Sequence, residues 1–294
     1  MRRYKTPIIV AVFALIGCLV FYLVSSYRVR GEGGGFAKTV SPAYWLDRAV
    51  GNDLFDPTKR IWYKGVRDKK EVCITFDDGP HPLSCKSLLA TLKQKKVIAS
   101  FFLVGKQVDG NPDLVKLIAE DGHEIGNHTY DHIRLDKLTR EQVYDQINEC
   151  DLAIEHACGR KAVLFRPPGM RYSDTVLSVI QQKEMIMVHW VIGAKDFIGT
   201  VPKDELTLDQ QKLPSVTSDK IVEFVTKQLR PGAIILLHDN PVTAVALPKI
   251  IDAVRAKGYE FKSCQEMMRE LPQKVEFDPN PIVDPTIAMS TSHN

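Results

Sequence analysis

The chain lacks the features that mark several large classes of protein. It has no block of basic residues: 39 Lys and Arg are dispersed among 36 Asp and Glu, for a net charge of +3. Nothing would track a phosphate backbone, so nucleic acid is not an expected partner. Only six cysteines occur in 294 residues, and none forms a C-x-x-C pair, which argues against a cysteine-based structural zinc site. Five of them (Cys73, Cys85, Cys150, Cys158 and Cys264) follow the N-terminal segment; an odd, scattered set does not make a disulfide scaffold. Cys150 and Cys158, placed on one helix, would be separated by about 12 Å along its axis, beyond the roughly 7 Å Cα limit for a disulfide. What is present is an ordinary globular composition, 44% hydrophobic and 26% charged, long enough for one large domain with flanking segments.

Long hydrophobic runs are absent except at the start. Arg2, Arg3 and Lys5 precede an apolar run from Pro7 to Val24, about 18 residues, the lower limit for spanning a bilayer. It exceeds a usual signal-peptide core of roughly 7 to 15 residues, so residues 1–27 are expected to be a cytoplasmic stub and an uncleaved transmembrane signal anchor. The positive flank places the rest outside the cytoplasm, giving a single-pass, membrane-anchored protein with an extracytoplasmic (periplasmic or cell-surface) domain. Leu15-Ile16-Gly17-Cys18 looks like a lipoprotein box, but the apolar run continues past it to Val24. Residues 28–70, beginning with Gly31, Gly33, Gly34 and Gly35, are expected to be a tether and an irregular lead-in, with Trp45, Trp62 and Tyr63 as aromatic anchors and no chemistry. Residues 272–294 have no periodicity and are expected to be a disordered tail.

Between them, residues 71–271 alternate short apolar runs with amphipathic stretches, the pattern of repeated βα units and a largely parallel sheet. Strands are expected over Val72–Phe76, Ile98–Val104, Glu124–Gly126, Val163–Phe165, Ile186–Ile192, Ala233–Leu237 and Tyr259–Phe261. Asn111-Pro112, the Thr139/Gln142 capping box, Ser173 and Ser218 are expected helix starts, and Gly122, Gly159 and Gly258 helix ends. About seven strands in roughly 200 residues fit a distorted (β/α)7–8 barrel, with an open doubly wound sheet as the alternative; in both, reactive residues belong at the carboxyl ends of strands.

Four clusters fall at such ends. Thr75-Phe76-Asp77-Asp78-Gly79-Pro80 sets two carboxylates side by side, a repulsion that a cation would relieve by taking one as ligand and leaving the other as a base. His128-Thr129-Tyr130-Asp131-His132 offers two imidazoles four residues apart. With one carboxylate they would make a three-ligand site with coordination positions left open. Phe165-Arg166-Pro167-Pro168-Gly169 supplies an arginine able to orient a carboxylate, and Leu236-Leu237-His238-Asp239 a histidine that is either a proton donor or a buried structural imidazole.

TFDDGP, HTYDH, RPPG and LLHD, in that order, resemble the motifs of the NodB-like polysaccharide deacetylases over roughly Glu71 to Leu271. The resemblance implies a distorted (β/α) barrel (a NodB-homology domain), a divalent metal, most often zinc with Co, Mn or Ni possible, and hydrolysis of the acetamide of N-acetylglucosamine units in an N-acetylated polysaccharide. Carried over motif by motif, it makes Asp77 the general base, Asp78, His128 and His132 the metal ligands, Arg166 the residue holding the base, and His238 the general acid. Leu236 would line the pocket for the acetate methyl, and Pro168 and Gly169 would be substrate-binding, with a backbone N–H near Gly169 stabilising the oxyanion. Two departures stand out. The aromatic residue often found after RPPG is missing, and the remaining motif, usually Asp-x-x-Asp-Trp, reads Gly193-Ala194-Lys195-Asp196-Phe197. The acid that would partner Arg166 is therefore absent at Gly193, and the role of Asp196 is left open.

Two other function classes fit part of this pattern. A two-His, one-carboxylate set could hold iron for an oxygenase, although that chemistry usually carries an His-x-Asp pair. The lost acid could mark a catalytically weakened carbohydrate-binding or cell-envelope protein. No separate carbohydrate-binding module is visible, so substrate choice is expected to lie in loops such as Lys195 to Pro214, with peptidoglycan ahead of chitin oligomers or a poly-N-acetylglucosamine capsule.

Overall fold

The structure is a computed structural model and describes residues 53–198 and 216–272. The expected membrane anchor, the end of the chain and most of the 195–214 loop lie outside the described residues, and among these no helix is long and apolar enough to cross a membrane.

Two short strands, β1 (Phe55–Asp56) and β2 (Ile61–Trp62), come first, inside the stretch read from sequence as an irregular lead-in. Each is only two residues long, too short for a periodic signal. β3 (Glu71–Gly79) follows, then α1 (Cys85–Lys95), β4 (Ser100–Leu103), α2 (Gly105–Gly110), α3 (Pro112–Glu120), β5 (Glu124–Asn127), α4 (Arg140–Cys158), β6 (Leu164–Phe165), α5 (Asp174–Gln182), β7 (Ile186–Val188) and β8 (Ile192–Gly193). After the 199–215 gap in the description come α6 (Ser218–Gln228), β9 (Ala233–His238), α7 (Pro241–Ala256), β10 (Glu260–Phe261) and α8 (Cys264–Arg269).

The local signals act much as their chemistry dictates. Thr139 and Gln142 form the expected capping box at the start of α4, and Gly122, Gly159 and Gly258 take positive φ of 81°, 70° and 79° at helix ends. Three starts differ. Thr217, not Ser218, caps α6 by accepting the Lys220 N–H. Ser173 precedes α5 without a side-chain cap bond, and the Asn111 amide donates back to the Gln107 carbonyl instead of capping α3.

The sheet runs β1-β2-β7-β6-β5-β4-β3-β9-β8, with β10 beside β3. From β3 to β7 every new strand is added on the same side, whereas a doubly wound sheet reverses direction. The sheet also curls. Laid flat, seven strands about 4.8 Å apart would separate β7 from β8 by about 29 Å, yet Val188 and Ile192 are joined by a chain that can span no more than about 14 Å. This turn breaks the single strand expected over Ile186–Ile192. His189 donates its N–H to the Trp62 carbonyl at 2.8 Å on one edge, and Val191 donates to Ile234 at 2.9 Å on the other. The α/β fold is therefore a curled, incompletely closed barrel.

Alternation along the strands gives the curl two apolar faces. Cys73, Phe102, Leu164, Ile186, Val188 and Ile234 face inward with Trp62 and the α8 residues Met267 and Met268. Their neighbours Ile74, Phe101, Phe165, Met187 and Ile235 face outward against the helices, which contribute Leu88 and Leu92 from α1 and Leu114 and Ile118 from α3.

Candidate active site

Adjacent residues of a strand ordinarily point to opposite faces, so Asp77 and Asp78 should not share a site. They do, because the register between β3 and β4 shifts between Phe76 and Gly79 and Asp78 takes a φ of 69°. This left-handed backbone is uncommon outside glycine and is characteristic of functional sites. The loop that follows is held from β9: Asp239 accepts the Ser84 hydroxyl at 2.6 Å and the His81 N–H at 3.0 Å. A Cβ at Gly79 would lie 3.0 Å from the Asp239 carboxylate, so a larger residue there would press on the side chain that holds the loop.

Asp77 is buried and lies in parallel register with His238 on the neighbouring β9. Its Oδ1 accepts a hydrogen bond from Arg166 Nη1 at 2.6 Å. Arg166, at the end of β6, is itself wholly buried. Nη1 also donates to Thr75 Oγ1 at 2.9 Å, Nε donates to the Val188 carbonyl at 3.0 Å and Nη2 to the His189 carbonyl at 3.2 Å. The ring of Phe102 lies 4.1 Å from the guanidinium carbon. Backbone carbonyls at the β7 turn thus occupy donors of Arg166 although Gly193 brings no acid.

Asp78, His128 and His132 each present one ligand-type atom, and the three atoms lie within 4.8 Å of one another. Asp78 Oδ1 is 3.3 Å from His128 Nε2 and 3.1 Å from His132 Nε2. Thr129 and His132 share the left-handed backbone, with φ of 68° and 58°. On the far side of its ring, His128 Nδ1 is 2.6 Å from the Arg166 carbonyl. A carbonyl can only accept, so Nδ1 carries a proton and Nε2 is the ring nitrogen turned toward Asp78. Asp78 Oδ1 is buried with no hydrogen-bond partner. Two imidazole nitrogens and an orphaned carboxylate oxygen converging in this way suit a divalent cation. Burial disfavours the Asp78 charge, but the imidazoles of His128 and His132 and the charge of His238 outweigh it and hold the carboxyl well below its ordinary 3.8.

His238 ends β9 opposite this cluster. Its Nδ1 stands 2.7 Å from Asp196 Oδ1, and its backbone N–H donates to Asp196 Oδ2 at 2.7 Å. The Thr243 hydroxyl, in the first turn of α7, donates to the same Oδ2 at 2.6 Å. Burial pulls the His238 pKa down, but Asp196, followed by Asp78 and Asp77, pushes it up to about 9. Asp196, undecided from sequence, is thus the residue that orients His238. Its supports Thr243 and Asn240 carried no signal in the sequence.

The remaining sequence candidates lie close by along the chain. Leu236, 7% exposed, is in register with Thr75 two residues before His238. Pro168 is buried, and Gly169 is exposed with a φ of 59° in the short turn after β6; a Cβ there would meet only Arg171 Cγ, at 3.8 Å. Tyr63, His189 and Trp190 form a run of tilted aromatic contacts, 5.8 Å and 5.1 Å between successive ring centroids, beside the carbonyls that hold Arg166. Sequence reading assigned no role to His189 or Trp190.

Residues 64–188 match the family profile described as polysaccharide deacetylase. The chain is 32% identical over 220 residues to a peptidoglycan-N-acetylglucosamine deacetylase of Bacillus cereus, covering 73% of this chain and 95% of that relative. Among solved structures, it resembles the Bc1960 peptidoglycan N-acetylglucosamine deacetylase with a TM-score of 0.65 and 28% identity, over 80% of this chain and 100% of that one. It also resembles BA3943 of Bacillus anthracis, a CE4 family pseudoenzyme, with a TM-score of 0.63 and 27% identity over 71% of this chain and 69% of that one.

Proposed function

The chain belongs to the polysaccharide deacetylase family, hydrolases of N-acetyl amide bonds, and we propose that it deacetylates N-acetylglucosamine units of peptidoglycan with the help of a divalent ion, zinc first. The observation that carries this reading is the placement of Asp77 and His238 in register on adjacent strands, beside the converging Asp78, His128 and His132. Membership of a hydrolase family sets aside the iron oxygenase.

Asp78, His128 and His132 would hold the ion, which when bound polarises an amide carbonyl and lowers the pKa of water. The two sides of the site divide the proton work. Asp77, oriented by Arg166, takes the proton of the attacking water. His238, charged because Asp196 supports its imidazolium, has Nε2–H free to protonate the departing amine nitrogen, which is otherwise a poor leaving group. Leu236 is assigned to the acetate methyl, and the Pro168–Gly169 turn to the substrate and, through a backbone N–H, to the oxyanion. The polymer assignment rests on the named Bacillus cereus relative and on the apolar run at Pro7 to Val24, which as a signal anchor would put the domain at the cell wall.

Acetate release by the purified chain from peptidoglycan, chitin oligomers and poly-N-acetylglucosamine, with and without a chelator, tests the reading. Chelator-sensitive release, greatest from peptidoglycan, is expected; release from none of them would overturn it. A weakened, carbohydrate-binding protein is favoured by one departure, Gly193 in place of an acid, and by likeness to a pseudoenzyme. That reading requires metal and glycan binding without acetate release.

A further inference from the structure

Cys73 and Cys264 stand 191 residues apart in sequence, yet their sulfurs are 3.6 Å apart, and both side chains are fully buried. Both backbones are fixed. Cys73 lies within β3 between its pairings to β9 and β10. Cys264 opens α8, where Ser263 and Glu266 form a capping box. The Glu124 carboxylate accepts the Cys264 N–H at 3.0 Å and the Gln265 N–H at 3.1 Å, and Lys262 donates to the Val72 carbonyl at 2.9 Å. Other cysteines have local acceptors: Cys150 Sγ donates to the Leu103 carbonyl at 3.3 Å and Cys158 Sγ to the Ile154 carbonyl at 3.2 Å. The Cys264 thiol has another sulfur as its partner.

We propose that Cys73 and Cys264 are a disulfide site, joined when the chain folds under oxidising conditions, and that the bond staples α8 to the strand that carries Asp77. A disulfide needs about 2.05 Å between sulfurs, so from 3.6 Å the pair must close by about 1.5 Å. The staple would close a very long loop, the case in which chain entropy favours a cross-link most. It lies on the inward face, where Cys73, Cys264, Met267 and Met268 pack together.

The chemistry balances with a low-molecular-weight disulfide such as oxidised glutathione as oxidant. One cysteine thiolate displaces a glutathione thiolate to form a mixed disulfide, and the second cysteine then displaces the other glutathione. Two protein thiols lose two protons and two electrons, and one glutathione disulfide becomes two glutathione thiols. Burial pushes the Cys73 thiol well above its ordinary 9.0, so the exchange belongs to folding, before α8 seals the pair, and the closed bond resists added reductant.

The full chain is denatured with reductant, refolded in a mixture of reduced and oxidised glutathione, alkylated under denaturing conditions without reductant, and digested for mass spectrometry. A peptide pair linking Cys73 to Cys264 is expected, with alkylated Cys85, Cys150 and Cys158. Wild-type chain refolded oxidatively should then melt several degrees above wild-type chain refolded with reductant alone, and the Cys73→Ala/Cys264→Ala variant should show no such difference. Alkylation of both Cys73 and Cys264 after oxidative refolding, or a cross-link from either to another cysteine, overturns the proposal. The mass readout uses the wild-type chain alone and stays decisive if the variant does not fold. It is also independent of any acetyl-group chemistry.

Discussion

Asp196 holds His238 at two points, its two carboxylate oxygens each 2.7 Å from a nitrogen of the histidine, one in the ring and one in the backbone. The contact fixes the ring by Nδ1 and leaves Nε2 toward the site. It also supplies the largest share of the negative charge that, together with Asp78 and Asp77, overcomes burial and pushes the imidazole pKa up to about 9. Without it, burial is opposed only by Asp78 and Asp77, and the pKa falls.

The basic limb of the pH profile should therefore depend on Asp196. The His238 pKa is raised to about 9 with Asp196 as the largest stabilising cause, so the acid form is present below that value and lost as pH rises through it. Asp196→Asn keeps a similar shape but removes the charge. The basic limb of kcat/KM is expected to move to lower pH in this variant; an unmoved limb would show that His238 is not the titrating acid.

Removing either proposed proton-transfer group should slow turnover without emptying the proposed metal site. For Asp77→Asn or His238→Ala the expected loss in kcat is about 10² to 10⁴, the usual worth of general acid or base catalysis. Metal content, measured by elemental analysis after dialysis, should stay near the wild-type level.

The reverse separation is expected at His128 and His132. His128→Ala and His132→Ala each remove one of three converging ligand atoms, so the bound metal and the activity should be lost together. Either variant with full zinc occupancy and full activity refutes the ligand set.

Arg166 holds the proposed base and also ties β6 to β3 and to the β7 turn. It is fully buried and donates to Asp77, Thr75 and two backbone carbonyls, so Arg166→Ala strands a buried carboxylate and several acceptors. Breaking a buried ion pair from one side costs about 3 to 5 kcal/mol, and a fall of that size is expected in denaturant unfolding. Arg166→Lys should recover only part of it, since a single ammonium cannot reproduce the planar fork.

Acid stability should report on His123, which is 2% exposed. Burial lowers its pKa from 6.5 to about 4, against a smaller opposing effect of Asp121. The folded state then binds fewer protons than the unfolded one between those values, so stability falls as pH drops from 6.5 toward 4, by about 3 kcal/mol from this group. His123→Leu should lose less stability than the wild type across that window in paired denaturant titrations; equal slopes would rule His123 out as the cause.

By itself the sequence determined the βα order and singled out, at strand ends, Asp77, Asp78, His128, His132, Arg166 and His238 as candidates, which the fold brings together. These are written in short-range patterns: buried parallel strands read as apolar runs such as Val72–Phe76, and caps such as Thr139/Gln142 are local chemistry. Short or context-made elements were not legible. The two-residue strands β1 and β2 carry no period, and β7 separates from β8 because the chain must cross from one edge of the curl to the other. Only the tertiary structure decided that neighbouring Asp77 and Asp78 face one site, since a φ of 69° at Asp78 overrides strand alternation. It alone showed that two backbone carbonyls occupy Arg166 donors although Gly193 carries no acid, that Asp196 serves His238, and that Cys73 meets Cys264. The last three depend on where the curl of the sheet brings distant segments together, and that distance is a global property of the packed chain with no local imprint in its residues.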